Sequence, residues 1–239
     1  MPGAVTPSDP IPQEPGWRRG LRIVWPLLLL TPLLYTLELS GIDLWLQQRW
    51  FDAPGAWWWP KEEPFGRLVL YDGIKHGLVI FGITLLGLLT LGRQHAWVRS
   101  HRRGLLIVLA SMVLVPTTVA GLKSISGVPC PRQLEIFGGS LPEMSIFDWR
   151  PVILQQPRRP HCFPAGHASA GFALMSLYFL FHHRRARLAG LAAGTALGSL
   201  MGAYKMLIGD HFLSHTLAAA LIAWFIICLL ALPGRRAGR

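Results

Sequence analysis

Charge is scarce in this chain, and negative charge is scarcer: Asp and Glu supply 12 of 239 residues against 23 Lys and Arg, and charged residues together make up 15%. A soluble domain usually carries about 25%, so a heavily solvated surface is excluded. Cysteine is limited to three residues, too few for a scaffold held together by several disulfides. No internal repeat recurs, and no stretch of low complexity follows the first residues. A cleavable secretory signal is also missing, because the N-terminal basic region leads into an apolar run too long for one. That first run reads as an uncleaved anchor.

What is present is hydrophobic length. Hydrophobic residues make up 51% of the chain and mean hydropathy is positive, +0.38. Six apolar runs, Leu21–Ser40, Ile74–Leu91, Leu105–Leu122, Ala168–Phe181, Leu188–Ile208 and Thr216–Leu232, are long enough or nearly so to cross roughly 30 Å of hydrocarbon. The fourth is short and borrows from its flanks. The expectation is an all-α polytopic membrane protein: a six-transmembrane-helix bundle spanning 17–239. Residues 1–16, rich in Pro and Gly, read as a disordered tail.

The net charge of +11 follows topology. Arg18, Arg19 and Arg22, then Arg93, Arg99, Arg102 and Arg103, then Arg184, Arg185 and Arg187, then Arg235, Arg236 and Arg239 all fall on one side of a six-pass chain. On that side the only acids are Asp9 and Glu14 in the tail. This is the positive-inside pattern, which puts both termini in the cytoplasm. A nucleic-acid partner is not expected. The lipid bilayer is, and no oligomeric state can be read.

Two external loops are expected, 41–73 and 123–166. The first carries Trp57-Trp58-Trp59, which suits a headgroup layer, either as plain anchoring or as a rim guiding a headgroup inward. The second is dense in Gly and Pro and carries Lys123, Arg132, Arg150, Arg158 and Arg159. Irregular backbone at membrane depth is tolerated where it lines a wet cavity. Cys130 and Cys162 both fall in this loop, and a disulfide between them is permitted if that side is oxidising. Cys228, inside the last run, reads as packing.

Imidazoles and cations converge at the borders of these segments. Metal-free hydrolysis of a phosphomonoester needs cations for the phosphoryl oxygens, an in-line nucleophile and an acid for the leaving group. Histidine can serve as nucleophile or acid. Three segments supply the parts: Lys123-x6-Cys130-Pro131, Pro164-Ala165-Gly166-His167, and Tyr204-Lys205-x5-His211-x3-His215.

In order, spacing and membrane position these segments resemble the signature of the type 2 phosphatidic acid phosphatase superfamily: Lys-x6-Arg-Pro, Pro-Ser-Gly-His, Ser-Arg-x5-His-x3-Asp. The resemblance implies roles by matched position. His211 would be the nucleophile that forms a phosphohistidine, and His167 the acid for the leaving alkoxide. Lys123 and Lys205 would hold phosphate oxygens, with backbone N–H groups around Ala165, Gly166 and His167. Gly166 would permit close approach. Cys130 stands where the signature has Arg, and Arg132 is expected to take over part of its contact. Lys205 replaces Arg, a point charge instead of a fork. Ala165 replaces Ser. His215 replaces the closing Asp; neutral, it could accept a hydrogen bond from His211, with Asp148 or Glu143 supplying negative charge. No cofactor and no metal are implied.

The expected function is a lipid phosphate phosphatase on the periplasmic face of a bacterial inner membrane. Its substrate would be phosphatidate, phosphatidylglycerophosphate, a polyprenyl diphosphate or a lipid A phosphate. Alternatives are a lipid-to-lipid phosphotransferase and a non-enzymatic lipid carrier. His211 and His215 also have the i, i+4 spacing of a zinc pair, though the Glu of a zinc protease helix is absent between them. Of the remaining polar residues, His161 reads as a solvated loop residue and Asp72 and Lys75 as interfacial anchors. His182 and His183 read as part of the basic patch. Asp210 either tunes its neighbour or is solvated.

Overall fold

The computed structural model describes residues 16–53, 56–143, 146–147 and 160–232. Residues 1–15 of the expected tail, Asp148, Arg150, Arg158, Arg159 and the three C-terminal arginines lie outside them. Seven α-helices are described: α1 (Gly16–Leu39), α2 (Ile42–Gln48), α3 (Ile74–Thr90), α4 (Ala96–Ser126), α5 (Gly166–Phe172), α6 (Arg184–Leu207) and α7 (Leu213–Leu230). A π-helical segment, Gly66–Gly73, runs into α3, and a 3₁₀ segment, Ala173–Phe179, continues α5. A short antiparallel hairpin joins β1 (Phe51–Ala53) to β2 (Ala56–Trp57), with Phe51 opposite Trp57.

All six expected apolar runs are helical. Among the described residues, Gly66–Thr90, Ala96–Gln133 and Leu213–Leu230 are each long and apolar enough to cross a bilayer. The pair Val24–Leu39 and Ile42–Gln48, bent by 57°, brings the number to four if it is one span. The second span starts eight residues earlier than expected, at Gly66 rather than Ile74, so the loop expected over 41–73 is largely structured. The 166–179 segment consists of two seven-residue pieces and is too short by itself. Helix α6 is less apolar than these spans because it is built from small residues and has three arginines in its first turn.

Those small residues explain the packing. A Cβ at Gly194 would stand 2.2 Å from Met175 N, one at Gly198 2.3 Å from Phe172 Cδ1, and one at Gly202 2.3 Å from Thr216 Cγ2. Glycine every four residues lets α6 press its backbone against α5, its 3₁₀ extension and α7, as small-residue stripes do in membrane bundles. The core they enclose contains Val115, Phe172, Met175, Ala219, Ala223 and Ile227. The outer faces carry large apolar side chains: Leu28, Ile80 and Ile83 are each more than 60% exposed. In water such a surface would be an aggregation liability; in hydrocarbon it is solvated. The chain is an integral membrane protein.

The bundle has two distinct ends. Arg103, near the start of α4, donates to the Ala231 carbonyl just past α7 at 2.7 Å. At 1.5 Å per residue, Lys123 stands about 30 Å further along α4. It shares the opposite end with Lys205, late in α6, and with the starts of α5 and α7.

Candidate active site

The ends of α4 and α6 and the starts of α5 and α7 enclose a cavity of about 1200 Å³. Lys123, Gly166, His167, Lys205 and His211 all line it. Three segments separated by up to 88 positions are thus brought to one pocket, as their motifs anticipated. Lys61, Tyr71, Lys75 and His161 also line it; His161 borders the cavity while remaining exposed.

His167 is fixed from the π-helical side. Its Nε2 lies 3.2 Å from the Leu70 carbonyl oxygen, which can only accept, and its ring stacks on Tyr71 at 4.6 Å between centroids. Lys205 Nζ lies 4.4 Å from the centre of the same Tyr71 ring and 2.9 Å from Asp210 Oδ2. Asp210 is a hub: Lys61 Nζ at 3.4 Å and Arg132 Nε at 3.2 Å reach its other oxygen. Burial raises the Asp210 carboxyl, but Lys205, Lys61 and Arg132 outweigh it and hold the group below the usual carboxylate value. Asp210 is therefore neither solvated nor a partner of the His211 ring; it neutralises cations at the mouth.

His211 sits in the turn between α6 and α7 and is 3% exposed. Burial first, then the neighbouring His215, Lys123 and Lys205, push it well below the ordinary 6.5, so it is neutral. A neutral imidazole with a free lone pair is the form a nucleophile needs. His211 Nδ1 and both ring nitrogens of His215 make no hydrogen bond among the described residues. The Cys162 main chain lies beside both rings.

Four expectations are corrected by this geometry. His215 does not accept a hydrogen bond from His211: the ring centroids are 5.7 Å apart and nearly perpendicular. It is fully buried instead, edge-on to Phe163 and Phe212 at 5.4 Å each. Glu143 is exposed and lines a separate small pocket beside His215, not the cavity lined by His211. Arg132 does not line the cavity; its backbone N–H donates to the Gly209 carbonyl at 3.0 Å, and its guanidinium donates to the Ile208 carbonyl and pairs with Asp210. The Ala165 N–H is consumed by the His215 carbonyl at 3.0 Å, and of these three residues Gly166 and His167 line the cavity.

Cys130 and Cys162 are joined by a disulfide, with Cα atoms 5.1 Å apart. It ties the chain leaving α4 to the chain entering α5, and both cysteines form part of the cavity wall. Trp57 and Trp59 do more than anchor. Trp57 packs on Phe51 and Phe137 at 5.1 and 5.3 Å between centroids, while Trp59 donates to Glu63 and meets Tyr204 edge-on. Trp58 alone is largely exposed.

A family model described as the PAP2 superfamily matches residues 104–237. The chain belongs to the PAP2 superfamily. No curated protein and no solved structure shows significant similarity to it. The PAP2 match contains Lys123, Arg132, His167, Lys205, His211 and His215. It leaves out Lys61, Tyr71 and Lys75, which complete the cavity from the N-terminal side. PAP2 proteins are phosphatases, so hydrolysis of a phosphate ester is the chemistry expected of this pocket. No spacing rule in the sequence pointed to Tyr71 or Lys61; Tyr71 belongs to the early helical start at Gly66, and Lys61 lies in the turn before it.

Proposed function

We propose that this protein is a lipid phosphate phosphatase whose cavity opens on the periplasmic face of a bacterial inner membrane. The observation that carries the lipid reading is an apolar groove of about 360 Å³ that shares Lys75, His167 and Ala170 with the cationic cavity. Val79, Gly82 and Ile83 of α3 and Met112 and Val113 of α4 line it. Val79, Ile83 and Val113 are more than half exposed on the hydrocarbon-facing surface. A substrate with a phosphate head and a hydrocarbon tail fits both compartments at once.

In this reading Lys123 and Lys205 hold phosphoryl oxygens, with the Gly166 and His167 N–H groups beside them. The His211 imidazole attacks phosphorus; a P–N bond forms as the bond to the lipid oxygen breaks. His167, held neutral in the free enzyme because burial lowers it to about 4, takes up the proton that the phosphate monoanion brings and gives it to that oxygen. Water, activated by the now neutral His167, then cleaves the phosphohistidine, releasing inorganic phosphate and restoring both rings. Arg132 contributes by holding the turn that carries His211. His215, at the closing-Asp position, packs behind the nucleophile as a neutral ring.

Sidedness rests on two features. The arginine-rich helix starts lie at the end away from the cavity, as the positive-inside pattern requires of six passes with cytoplasmic termini. The disulfide lies at the cavity end, and disulfides persist in oxidising compartments. The test is phosphate release in detergent from phosphatidate, phosphatidylglycerophosphate, a polyprenyl diphosphate and a lipid A phosphate. Turnover by wild type and its loss in His211→Ala and His167→Ala are expected. An inactive wild type on all four, with a folded protein, would favour a carrier.

A further inference from the structure

Among the described residues no acidic side chain is hydrogen-bonded to the His211 ring, yet a nucleophile must be held within a fraction of an ångström of its line of attack. The restraint comes from the main chain on both sides of it, and helix α2 supplies half of that grip. Asp43 and Gln47 lie one turn apart on α2, are 8% and 1% exposed, and project the same way. Asp43 Oδ1 accepts from the Ser214 N–H at 3.0 Å. Ser214 is in the first turn of α7, whose N-cap residue Phe212 offers no side-chain cap of its own. Gln47 Nε2 donates to the Met206 carbonyl at 3.0 Å and to the His211 carbonyl at 3.4 Å. Two carbonyl partners fix the amide orientation, because only the NH₂ end can serve both. One residue therefore closes the end of α6, the other opens α7, and the turn bearing His211 is suspended between them. Arg132 holds the same turn from the opposite side through Gly209 and Ile208.

We propose that Asp43 and Gln47 are positioning residues for phosphoryl transfer by His211, acting through the backbone of the 206–214 turn. The proposal rests on His211 being the nucleophile. Both residues lie outside the stretch matched by the superfamily model, and the N-terminal part of this chain supplies them. What it requires is chemically narrow. At position 43 it needs an acceptor oxygen, and at position 47 a donor facing two carbonyls.

The experiment uses the full-length purified protein and the lipid phosphate that it turns over best, with kcat and KM measured separately. Gln47→Glu keeps the shape but puts acceptor oxygens against two carbonyls. It should lower kcat about 100-fold, the order expected for a misplacement near 1 Å, with KM within about twofold. Asp43→Ala should lower kcat similarly, and Asp43→Asn, which keeps the acceptor, should restore most of it. Size-exclusion profiles and melting curves accompany each variant, so that a loss of fold is seen as such. Unchanged kcat in Gln47→Glu and Asp43→Ala, beside an inactive His211→Ala, overturns the positioning role alone. So does an Asp43→Asn as impaired as Asp43→Ala. Full turnover by His211→Ala removes the nucleophile assignment itself, and this proposal with it.

Discussion

Lys205 Nζ stands 2.9 Å from Asp210 Oδ2, so the cation to which the proposed mechanism gives a phosphoryl oxygen is already paired before substrate arrives. Asp210 also holds Lys61 and Arg132. In the proposed mechanism an incoming phosphate competes with this carboxylate for the same cations, and affinity for free phosphate should be tempered accordingly. Asp210→Asn should release Lys205 and Lys61 and tighten inhibition by vanadate or inorganic phosphate several-fold. It should also lower thermal stability, because three cations lose their counter-charge. Lys205→Ala should instead lower kcat/KM by about 100-fold, the scale of losing one charge-stabilising donor. Inhibition constants for the two variants, measured side by side, check the opposition of sign.

The pH dependence follows from His211, from His167, which burial lowers to about 4 and which therefore acts in the same direction as His211, and from Asp210. His211 has its folded value pushed well below 6.5 by burial first and by His215 and the lysines after it. The free enzyme then keeps a neutral nucleophile below pH 6.5, and the acidic limb of kcat/KM should fall under that value. Stability runs the same way. The unfolded chain takes up a proton at His211 as pH drops below 6.5 while the folded chain does not, so stability is full above 6.5 and declines below it. Asp210, held low by Lys205, Lys61 and Arg132 against the opposing effect of burial, keeps its contribution until pH falls below the usual carboxylate range near 3.9. Melting curves from pH 8 to pH 4.5 should show the decline starting near 6.5, and His211→Gln should flatten its first part.

Much of this site was legible because chemistry-bearing residues sat at the ends of apolar runs. The ends of spans lie at one surface, so Lys123, His167, Lys205 and His211 had few places to go but together. The helical class was equally plain from the lengths of those runs. What stayed hidden were contacts whose partners are far apart in the chain. Gln47 meets Met206 and Asp43 meets Ser214 across more than 150 residues, and no periodicity records that. An i, i+4 pair of polar residues inside an otherwise apolar interfacial helix was the one available hint. Arg132 misled because charge near a motif says nothing about direction. Its side chain had a nearer set of acceptors in the Ile208 carbonyl and Asp210.

The disulfide predicts a shared stability and activity loss. Cys130 and Cys162 are 32 positions apart, and closing a loop of that order stabilises by about 3–4 kcal/mol in the chain-entropy account. Cys130→Ser, Cys162→Ser and the double variant should melt at the same lowered temperature, matching wild type treated with reductant. Activity should fall with them, since the bond joins the segment after Lys123 to the segment before His167. A single serine variant as stable and active as wild type would remove the bond from any structural role.

The glycine stripe on α6 should tolerate nothing larger. A methyl at Gly198 would enter the Phe172 ring, five residues from His167 on the same helical segment. Overpacking of this kind costs about 1–3 kcal/mol. Gly198→Ala should lower the melting temperature in detergent and displace α5 enough to reduce turnover. Gly121→Ala, where a Cβ has open space, is the matched control and should leave the melting temperature within about a degree or two of wild type, as surface changes do.

The groove between α3 and α4 separates a lipid enzyme from a general phosphatase. Gly82 faces it, and a Cβ there would only touch Met112 at 3.6 Å, so a large side chain at this position fills the groove without invading the backbone. Gly82→Phe should therefore raise KM for a long-chain lipid phosphate by tenfold or more, given that each buried CH₂ is worth about 0.8 kcal/mol. It should leave turnover of a short, water-soluble phosphate ester unchanged, because the cationic cavity with Lys123, His167 and His211 is untouched. Equal loss on both substrates would mean that the substitution disturbs the bundle. Equal retention would mean that the hydrocarbon tail lies elsewhere, and the lipid reading would lose its main support.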